Sequence, residues 1–366
     1  MSSRCLSWLL LPLTLTLPVR AEAPAAEAPP PKALAAGKQG SFQPGLLLQS
    51  WVHAVRQDGE TAWGFRLRRV ELKAKGDVLP ELLSYNVMFD VAKVLEFERT
   101  ELAVAGQEPT PSEPGSVEAA QPVSNVSVLQ DASFTFHSEF VNVTVGQMKN
   151  PLSWEGYNSA SALLFPERAL VSRQYGDARD LGVKLDSKLG EHFYYFAGLY
   201  NGAGLNRRDD DRQKDAALRL EAYPVKGMMV GVVGYAGIGE RGESQTRDRV
   251  EADLRIELSN ALLQVEYLRG WDGPTSATRV EGHGFYAALA YTFFGVLQPA
   301  VRVGGLDTDL SQDLPAGKSD EVWHYEGALT YLLQGNQAKL ALSYSFFDFD
   351  DSPGRGELIA LGQVSY

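Results

Sequence analysis

The chain has 366 residues, with 34 Lys plus Arg against 46 Asp plus Glu, so its formal net charge is −12. This acidic balance argues against a basic nucleic-acid-binding protein, and we expect no nucleic-acid partner. Hydrophobic residues make up 44%, and the 35 Gly, 16 Phe, 15 Tyr and 6 Trp favour an all-β protein over a helical one.

Residues 1–23 have the pattern of a secretory signal peptide. Arg4 lies in a short basic start, an apolar run extends from Leu6 to Val19, and Ala21-Glu22-Ala23 supplies small residues suited to cleavage. The single cysteine, Cys5, would leave with this segment, so the mature chain has no thiol to form a disulfide.

The predicted mature chain divides into two parts. Residues 24–41 are rich in Ala and Pro and predict a flexible lead-in, with regular structure beginning near Gly45. Residues 42–366 form the second part, in which no stretch approaches the roughly 18 uncharged apolar residues that a membrane helix requires.

Extended segments of about ten residues recur throughout this second part, and in each of them every second side chain is apolar or aromatic. In Val250–Leu258, for example, five apolar side chains alternate with four charged ones, and Lys339–Phe346 places Leu340, Leu342 and Tyr344 on one face. We count about sixteen segments, at approximately 45–54, 62–76, 81–98, 126–137, 140–148, 180–189, 191–200, 215–224, 226–237, 247–258, 261–270, 280–294, 297–306, 320–333, 337–349 and 356–366.

The connections between segments alternate in length. Short turns alternate with longer polar connections, of which residues 149–179 form the longest. Even strand number, short turns at one end and long loops at the other are typical of a transmembrane antiparallel up-and-down β-barrel. Aromatic residues near the strand ends would form its interfacial girdles, namely Tyr85, Phe97, Tyr195, Tyr200, Tyr235, Tyr267, Trp271, Tyr291, Phe293, Trp323, Tyr331, Phe347 and Tyr366.

Several motifs resemble the phosphate-selective porin O and P family. The basic stretch Gly64–Leu72 resembles that family's second strand, and a stronger match runs in family order and approximate spacing from Leu129 to Gly202. It includes the sequences Val145-Gly146-Gln147-Met148-Lys149-Asn150-Pro151 and Phe165-Pro166-Glu167-Arg168-Ala169-Leu170. The resemblance implies a sixteen-stranded barrel, commonly a homotrimer, whose third long loop folds inward to narrow the pore; here that loop is 149–179.

A basic stripe lies on the second predicted strand. The alternation changes parity at Arg68-Arg69, which predicts a bulge or irregular step there. With the apolar residues toward lipid, the cations Arg66, Arg68, Arg69, Lys73 and Lys75 face the lumen beside Glu71. Guanidinium groups bind phosphate and carboxylate with two prongs and keep their charge, which suits an anion path. These arginines could instead pair with carboxylates on neighbouring strands.

Counted together with the adjoining Asp180, the third loop carries four cations and four carboxylates, so the net charge of this stretch is zero. Its cations are candidates for solute binding, although ion pairs that hold the loop to the barrel wall explain them equally well. They are Lys149, Arg168, Arg173 and Arg179.

These features predict an outer-membrane porin of a Gram-negative bacterium that conducts small anions, phosphate or related oxyanions among them, through a water-filled channel. Its partners would be these solutes and outer-membrane lipid. A general or sugar-type solute porin is an alternative in the same location, and a secreted β-rich hydrolase or propeller is one from another class. We find no catalytic motif and expect no enzyme activity, no cofactor and no metal.

Overall fold

The structure, a computed structural model, describes residues 33–37, 39–96, 128–209, 212–238, 246–273, 279–310, 321–350 and 352–366. The predicted signal peptide, most of the predicted lead-in and Phe97 lie outside these residues. Among the described helices, none has the length and apolar character that crossing a membrane requires.

Strands make up most of the described chain, joined by a few short helices. The helical elements are α1 (Trp154–Tyr157), two 3-10 helices (Val91–Glu96 and Ala160–Ala162) and a π-helical turn (Ser172–Gly176). The strands are β1 (Leu34–Ala36), β2 (Gly40–Gln57), β3 (Glu60–Leu79), β4 (Leu83–Asp90), β5 (Leu129–Phe136), β6 (Asn142–Lys149), β7 (Arg179–Leu189), β8 (Phe193–Tyr200), β9 (Lys214–Ala222), β10 (Met228–Ile238), β11 (Thr246–Leu258), β12 (Ala261–Gly273), β13 (Val280–Tyr291), β14 (Leu297–Asp307), β15 (Glu321–Gln334), β16 (Ala338–Phe349) and β17 (Ser352–Ser365).

The strands β2 to β17 form a closed antiparallel barrel of sixteen strands. Each pairs with the next in the chain, and β17 pairs with β2 through a register that runs from Gly356↔Arg56 to Ser365↔Leu47. The terminal Tyr366 and Leu46 exchange two backbone hydrogen bonds of 3.0 Å. This pairing confirms the predicted all-β barrel and its strand number. Each segment alternates with a period of two, and such a segment forms a strand with one face buried.

The two faces of the barrel differ in chemistry. On β16, the outward side chains Leu340, Leu342 and Tyr344 are more than half exposed, whereas the inward Lys339 and Ser343 are buried. Exposed apolar side chains on the outside and polar ones inside are what a lipid-facing barrel around a lumen requires. The alternation predicted for this strand is confirmed.

The structure differs from the sequence prediction at the start of β2 and at the end of β4. Regular structure begins before Gly45, because β2 starts at Gly40 and pairs with the short β1. The segment predicted at 81–98 ends as a strand at Asp90, whose carboxylate accepts the backbone N–H of Val70 (2.9 Å) and of Ala92 (3.2 Å). An aspartate that bonds the backbone two residues ahead starts a turn, and here the 3-10 helix follows.

The predicted aromatic girdles are partly wrong. Tyr267, Tyr291 and Tyr331 are exposed on the outside as expected, but Tyr200, Tyr235 and Phe347 are buried on the inner face. Tyr235 donates a hydrogen bond of 2.7 Å to Asp215, and Phe347 stacks on His324 at 4.4 Å. Nearness to a strand end does not decide which side a residue faces, since strand parity does.

We expect Leu342→Lys to destabilise the barrel by about 2–4 kcal/mol, because a cation near the middle of the lipid face must leave water. The matched variant Leu258→Lys lies at the end of β11 and should cost only about 0–1 kcal/mol. Denaturant titration of both proteins folded into lipid vesicles measures the difference. Equal costs at the two depths would contradict the lipid-facing orientation.

Candidate functional site: a charged lumen with an inner loop

Residues 150–178, which we call the inner loop, connect β6 to β7 and contact inward-facing side chains around the barrel. On one side, the backbone N–H of Ser153 donates to Glu251 on β11 (2.6 Å) and that of Trp154 donates to Glu266 on β12 (3.0 Å). On the other, Lys339 on β16 donates to the carbonyls of Leu163 (2.7 Å) and Ser161 (3.1 Å). The inner loop therefore contacts the lumen side of β11, β12 and β16.

Apolar packing joins these polar contacts. Leu164, Phe165 and Val171 of the inner loop are buried in one cluster with Leu268, Tyr286 and other inward side chains of β12 to β15. Where the loop lies against the barrel wall, the wall leaves no room for a side chain at Gly282. A Cβ built on Gly282 would stand 2.2 Å from the Tyr175 hydroxyl and 2.7 Å from the Asp307 carbonyl oxygen. A glycine at 282 is therefore a condition for this loop position.

Charged residues of the wall behind the loop are paired. Arg219 on β9 contacts Glu221 (2.7 Å), Glu251 (3.3 Å) and Asp253 (2.9 Å). On β14, Arg302 pairs with Glu326 (2.5 Å) and approaches the loop residue Glu155 (3.4 Å). Buried charges are tolerated when they are paired and hydrogen-bonded in this way.

A bulge on β3 turns two consecutive arginines toward the lumen. Gln49 lies opposite Arg69, whereas the next residue, Ser50, lies opposite Leu67, so Arg68 is the extra residue. Leu67 is 43% exposed on the outside, while Arg68 and Arg69 are 7% and 4% exposed. The irregular step predicted at Arg68-Arg69 is present in the structure, because one inserted residue resets the strand parity.

Both arginines bind one carboxylate of the inner loop, that of Glu167. Arg68 Nε is 2.6 Å from Oε2 and Arg69 Nη2 is 2.9 Å from Oε1. The backbone N–H of Arg168 also donates to Oε1 (3.0 Å), and Arg173 Nη1 approaches Oε2 to 3.8 Å. We call these three guanidinium groups with the Glu167 carboxylate the arginine cluster. Counted over these four described residues, its formal charge is positive, since three cations contact one anion.

The arginine cluster keeps Glu167 ionised. Burial opposes the charge of its carboxylate, but the guanidinium groups of Arg69 and Arg68 outweigh burial and hold the pKa of Glu167 well below its usual range. Nearby, burial raises the pKa of the Tyr175 hydroxyl to about 12, so this phenol stays neutral. The ion pairs of Glu167 therefore persist through ordinary acidic pH.

Three other predicted site residues each have a different kind of contact. Arg66 lies over the Trp51 ring at 5.6 Å, and Lys73 pairs with Glu71 on the same strand at 2.7 Å. Lys149 donates to the carbonyls of Gly156 and Asn158 (2.7 Å each), at the end of α1.

Of the remaining two cations, Arg168 lies within the inner loop and Arg179 is the first residue of β7. Arg168 donates to the Glu155 carbonyl (2.8 Å) and pairs with Asp177 (3.1 Å). Arg179 pairs with Asp131 of β5 at 2.9 Å. These contacts hold the backbone of the loop and the adjoining strands together.

The profile of the phosphate-selective porin O and P family matches residues 52–246, which is more than half of the chain. The chain belongs to this family. It is an outer-membrane β-barrel porin, and no curated protein matches its sequence.

Solved structures share the fold at low sequence identity. The anion-selective porin from Comamonas acidovorans is 10% identical at a TM-score of 0.60, covering 90% of this chain and 100% of that one. OmpT of Vibrio cholerae is 13% identical at 0.59, covering 91% and 100%. The outer membrane channel DcaP of Acinetobacter baumannii is 14% identical at 0.58, covering 90% and 99%.

Several lumen residues of this porin were missed by the sequence reasoning. They are Arg219, Arg302, Lys339 and the carboxylates Glu155, Glu266 and Glu326, which contact the inner loop or one another. Strand parity could have placed those on the strands in the lumen, because each faces away from the apolar side of its segment. Their contacts with the inner loop could not be read from spacing, since those of Glu266, Arg302 and Lys339, for example, join residues 112, 147 and 176 positions apart.

The pKa of Glu167 is lower in the folded protein than in the unfolded chain. The contribution of its carboxylate to the free energy of unfolding therefore falls as the pH is lowered. The contribution is complete above the unfolded pKa of about 4.3 and is lost as the pH falls through the lower folded pKa. We expect the unfolding free-energy difference between wild type and Glu167→Gln to stay constant from pH 8 to about pH 5 and to shrink only below about pH 4. Urea titrations across this range measure it. A difference that shrinks between pH 7 and pH 5 would contradict the ion-pair geometry.

Proposed function

We propose that this porin conducts small anions in preference to cations, phosphate and related oxyanions included, along a path past the arginine cluster. The observation that carries the proposal is that, among the described residues, three guanidinium groups meet the Glu167 carboxylate on the lumen side of β3. An excess positive charge at a narrow point raises the local concentration of anions and repels cations.

Access to the cluster supports this proposal. The Arg173 side chain is 55% exposed, although it lies 3.8 Å from the Glu167 carboxylate that binds the buried Arg68 and Arg69. An anion in the lumen can therefore meet a solvated guanidinium at the cluster's edge. The shared fold of the anion-selective porin from Comamonas acidovorans is consistent with the same preference.

The predicted site residues divide into two roles under this proposal. Arg66, Arg68, Arg69, Lys73 and Arg173 set the potential along the solute path. Lys149, Arg168 and Arg179 instead fix the inner loop, because their contacts go to loop carbonyls, Asp177 and Asp131. The mature chain would reach the outer membrane by means of the signal at residues 1–23, which is then removed.

We expect Arg173→Gln to lower the anion-to-cation permeability ratio and the double variant Arg68→Gln/Arg69→Gln to lower it further, because each loses positive charge at the cluster. The matched control Arg269→Gln removes an arginine that pairs with Glu281 and lies over the outward Trp271 ring. Reversal potentials of single channels under a salt gradient measure the ratio.

Two outcomes would contradict the proposal. One is a wild-type channel that prefers cations or shows no preference, which would favour a general solute porin. The other is a loss of anion preference in Arg269→Gln equal to that in Arg173→Gln. Arg173→Gln is the decisive variant, since its exposed side chain makes one long contact and its loss leaves the barrel wall intact.

We further propose a homotrimer, in line with the trimer form reported for OmpT of Vibrio cholerae. Among the described residues, β4 pairs with β3 only from Glu71 to Leu79, so Glu60–Val70 have no described strand on that side, where the 3-10 helix Val91–Glu96 contacts β3. Trp63 and Phe65 are 68% and 78% exposed there, and Leu95 is 64% exposed beside them. A neighbouring barrel that packed against this part of β3 would bury these exposed apolar side chains.

A charged residue at this surface tests the trimer. We expect Phe65→Asp to shift the unheated protein from trimer to monomer on a mild-detergent gel, since it places a carboxylate in an apolar contact. The control Leu258→Asp changes another outward apolar side chain, 66% exposed against 78% for Phe65, on the other side of the barrel. Dissociation by both variants, or by neither, would count against an interface at β3.

A further inference from the structure

The carboxylate of Glu167 occupies a group of hydrogen-bond donors that is built for an oxyanion. Arg68 Nε, Arg69 Nη2 and the N–H of Arg168 converge on its two oxygens at 2.6, 2.9 and 3.0 Å. Two guanidinium groups and a backbone amide are the donors that proteins use for phosphate and for free carboxylates. The occupant in this structure is a side chain of the protein itself.

The arginines are held by contacts that do not involve Glu167. Arg69 Nη1 donates to Gln49 Oε1 at 2.7 Å, and Gln49 in turn donates to Gln363 Oε1 at 2.7 Å. The Arg68 guanidinium lies over the Trp51 ring at 5.8 Å. These supports come from β2 and β17, so the donors stay in place when the Glu167 side chain changes.

The loop backbone at Glu167 is also held independently of its side chain. The Glu167 carbonyl accepts a hydrogen bond from Arg302 Nη2 at 3.0 Å, and the next residue, Arg168, donates to the Glu155 carbonyl at 2.8 Å. Neutralising the carboxylate therefore removes the occupant of the donor group without removing the anchors of the loop.

From this arrangement we infer that Glu167 is a tethered competitor that keeps an oxyanion-binding site occupied. Its carboxylate stands where the phosphate or carboxylate group of a solute would bind, so native anions pass the cluster without being held tightly. The ligand class of the site is a tetrahedral or planar oxyanion, bound by Arg68, Arg69 and the Arg168 N–H. This inference rests on the proposed anion conduction. It identifies Glu167 as the residue that limits the affinity of the site for a solute oxyanion.

The test is block of single-channel chloride current by inorganic phosphate in the full-length mature protein. We expect Glu167→Gln to be half-blocked at a phosphate concentration about tenfold or more below that for wild type, because the freed charge-assisted donors bind the added anion. Adding Arg69→Gln to this variant should reverse the gain. Asp177→Asn is the matched control: it removes another loop carboxylate, which pairs with Arg168 and lies 4.0 Å from Arg179.

The inference is overturned if Glu167→Gln conducts chloride but gains no phosphate block, or if Asp177→Asn gains an equal block through loop charge alone. Should Glu167→Gln fail to fold, Glu167→Asp keeps the charge but withdraws it by one methylene, and the half-blocking concentration should still fall. An unchanged value for that variant also overturns the inference. A failure of this inference can be told apart from a failure of the proposed function. The wild-type reversal potential alone tests the proposed function, whereas the phosphate block, compared between variants, tests this inference.

Discussion

The closure of the sheet through the pairing of β17 with β2 is the constraint on which the rest of the structure depends. In hydrocarbon an unpaired N–H or C=O group costs several kcal/mol, so a sheet that crosses a membrane has to close on itself. Sixteen strands give a circumference that inward side chains alone do not fill. This leaves a space in which the inner loop can lie and in which polar side chains face one another rather than lipid.

The inner loop depends in turn on charges that are buried on the wall. Loop N–H groups bond Glu251 and Glu266, loop carbonyls bond Lys339, and the Glu167 carboxylate binds Arg68 and Arg69. An irregular segment carries backbone groups that no strand can pair, and these side chains pair them. The same arginines therefore serve two purposes, since they position the loop and set the potential of the lumen beside it.

The strands and their faces follow from the sequence because each is a local property. Alternation along Lys339–Phe346 fixes which side chains meet lipid, and the change of parity at Arg68-Arg69 is visible from the neighbouring apolar residues. The pairing of those arginines is not local, since Glu167 lies 98 residues after Arg69 in the chain. The near balance of cations and carboxylates in the third loop gave no indication that Glu167 meets three guanidinium groups, while Lys149 binds loop carbonyls and Arg179 pairs with Asp131.

The bulge at Arg68 has a consequence for how such a channel can change over evolutionary time. If Arg68 were deleted, the strand would regain an uninterrupted alternation in which Phe65, Leu67, Val70 and Leu72 still faced outward, and Arg66, Arg69 and Glu71 still faced inward. A one-codon insertion or deletion at this step can thus add or remove a lumen cation while the lipid-facing surface stays the same. The solute preference of the channel can therefore change by mutation without a change in the surface that membrane insertion requires.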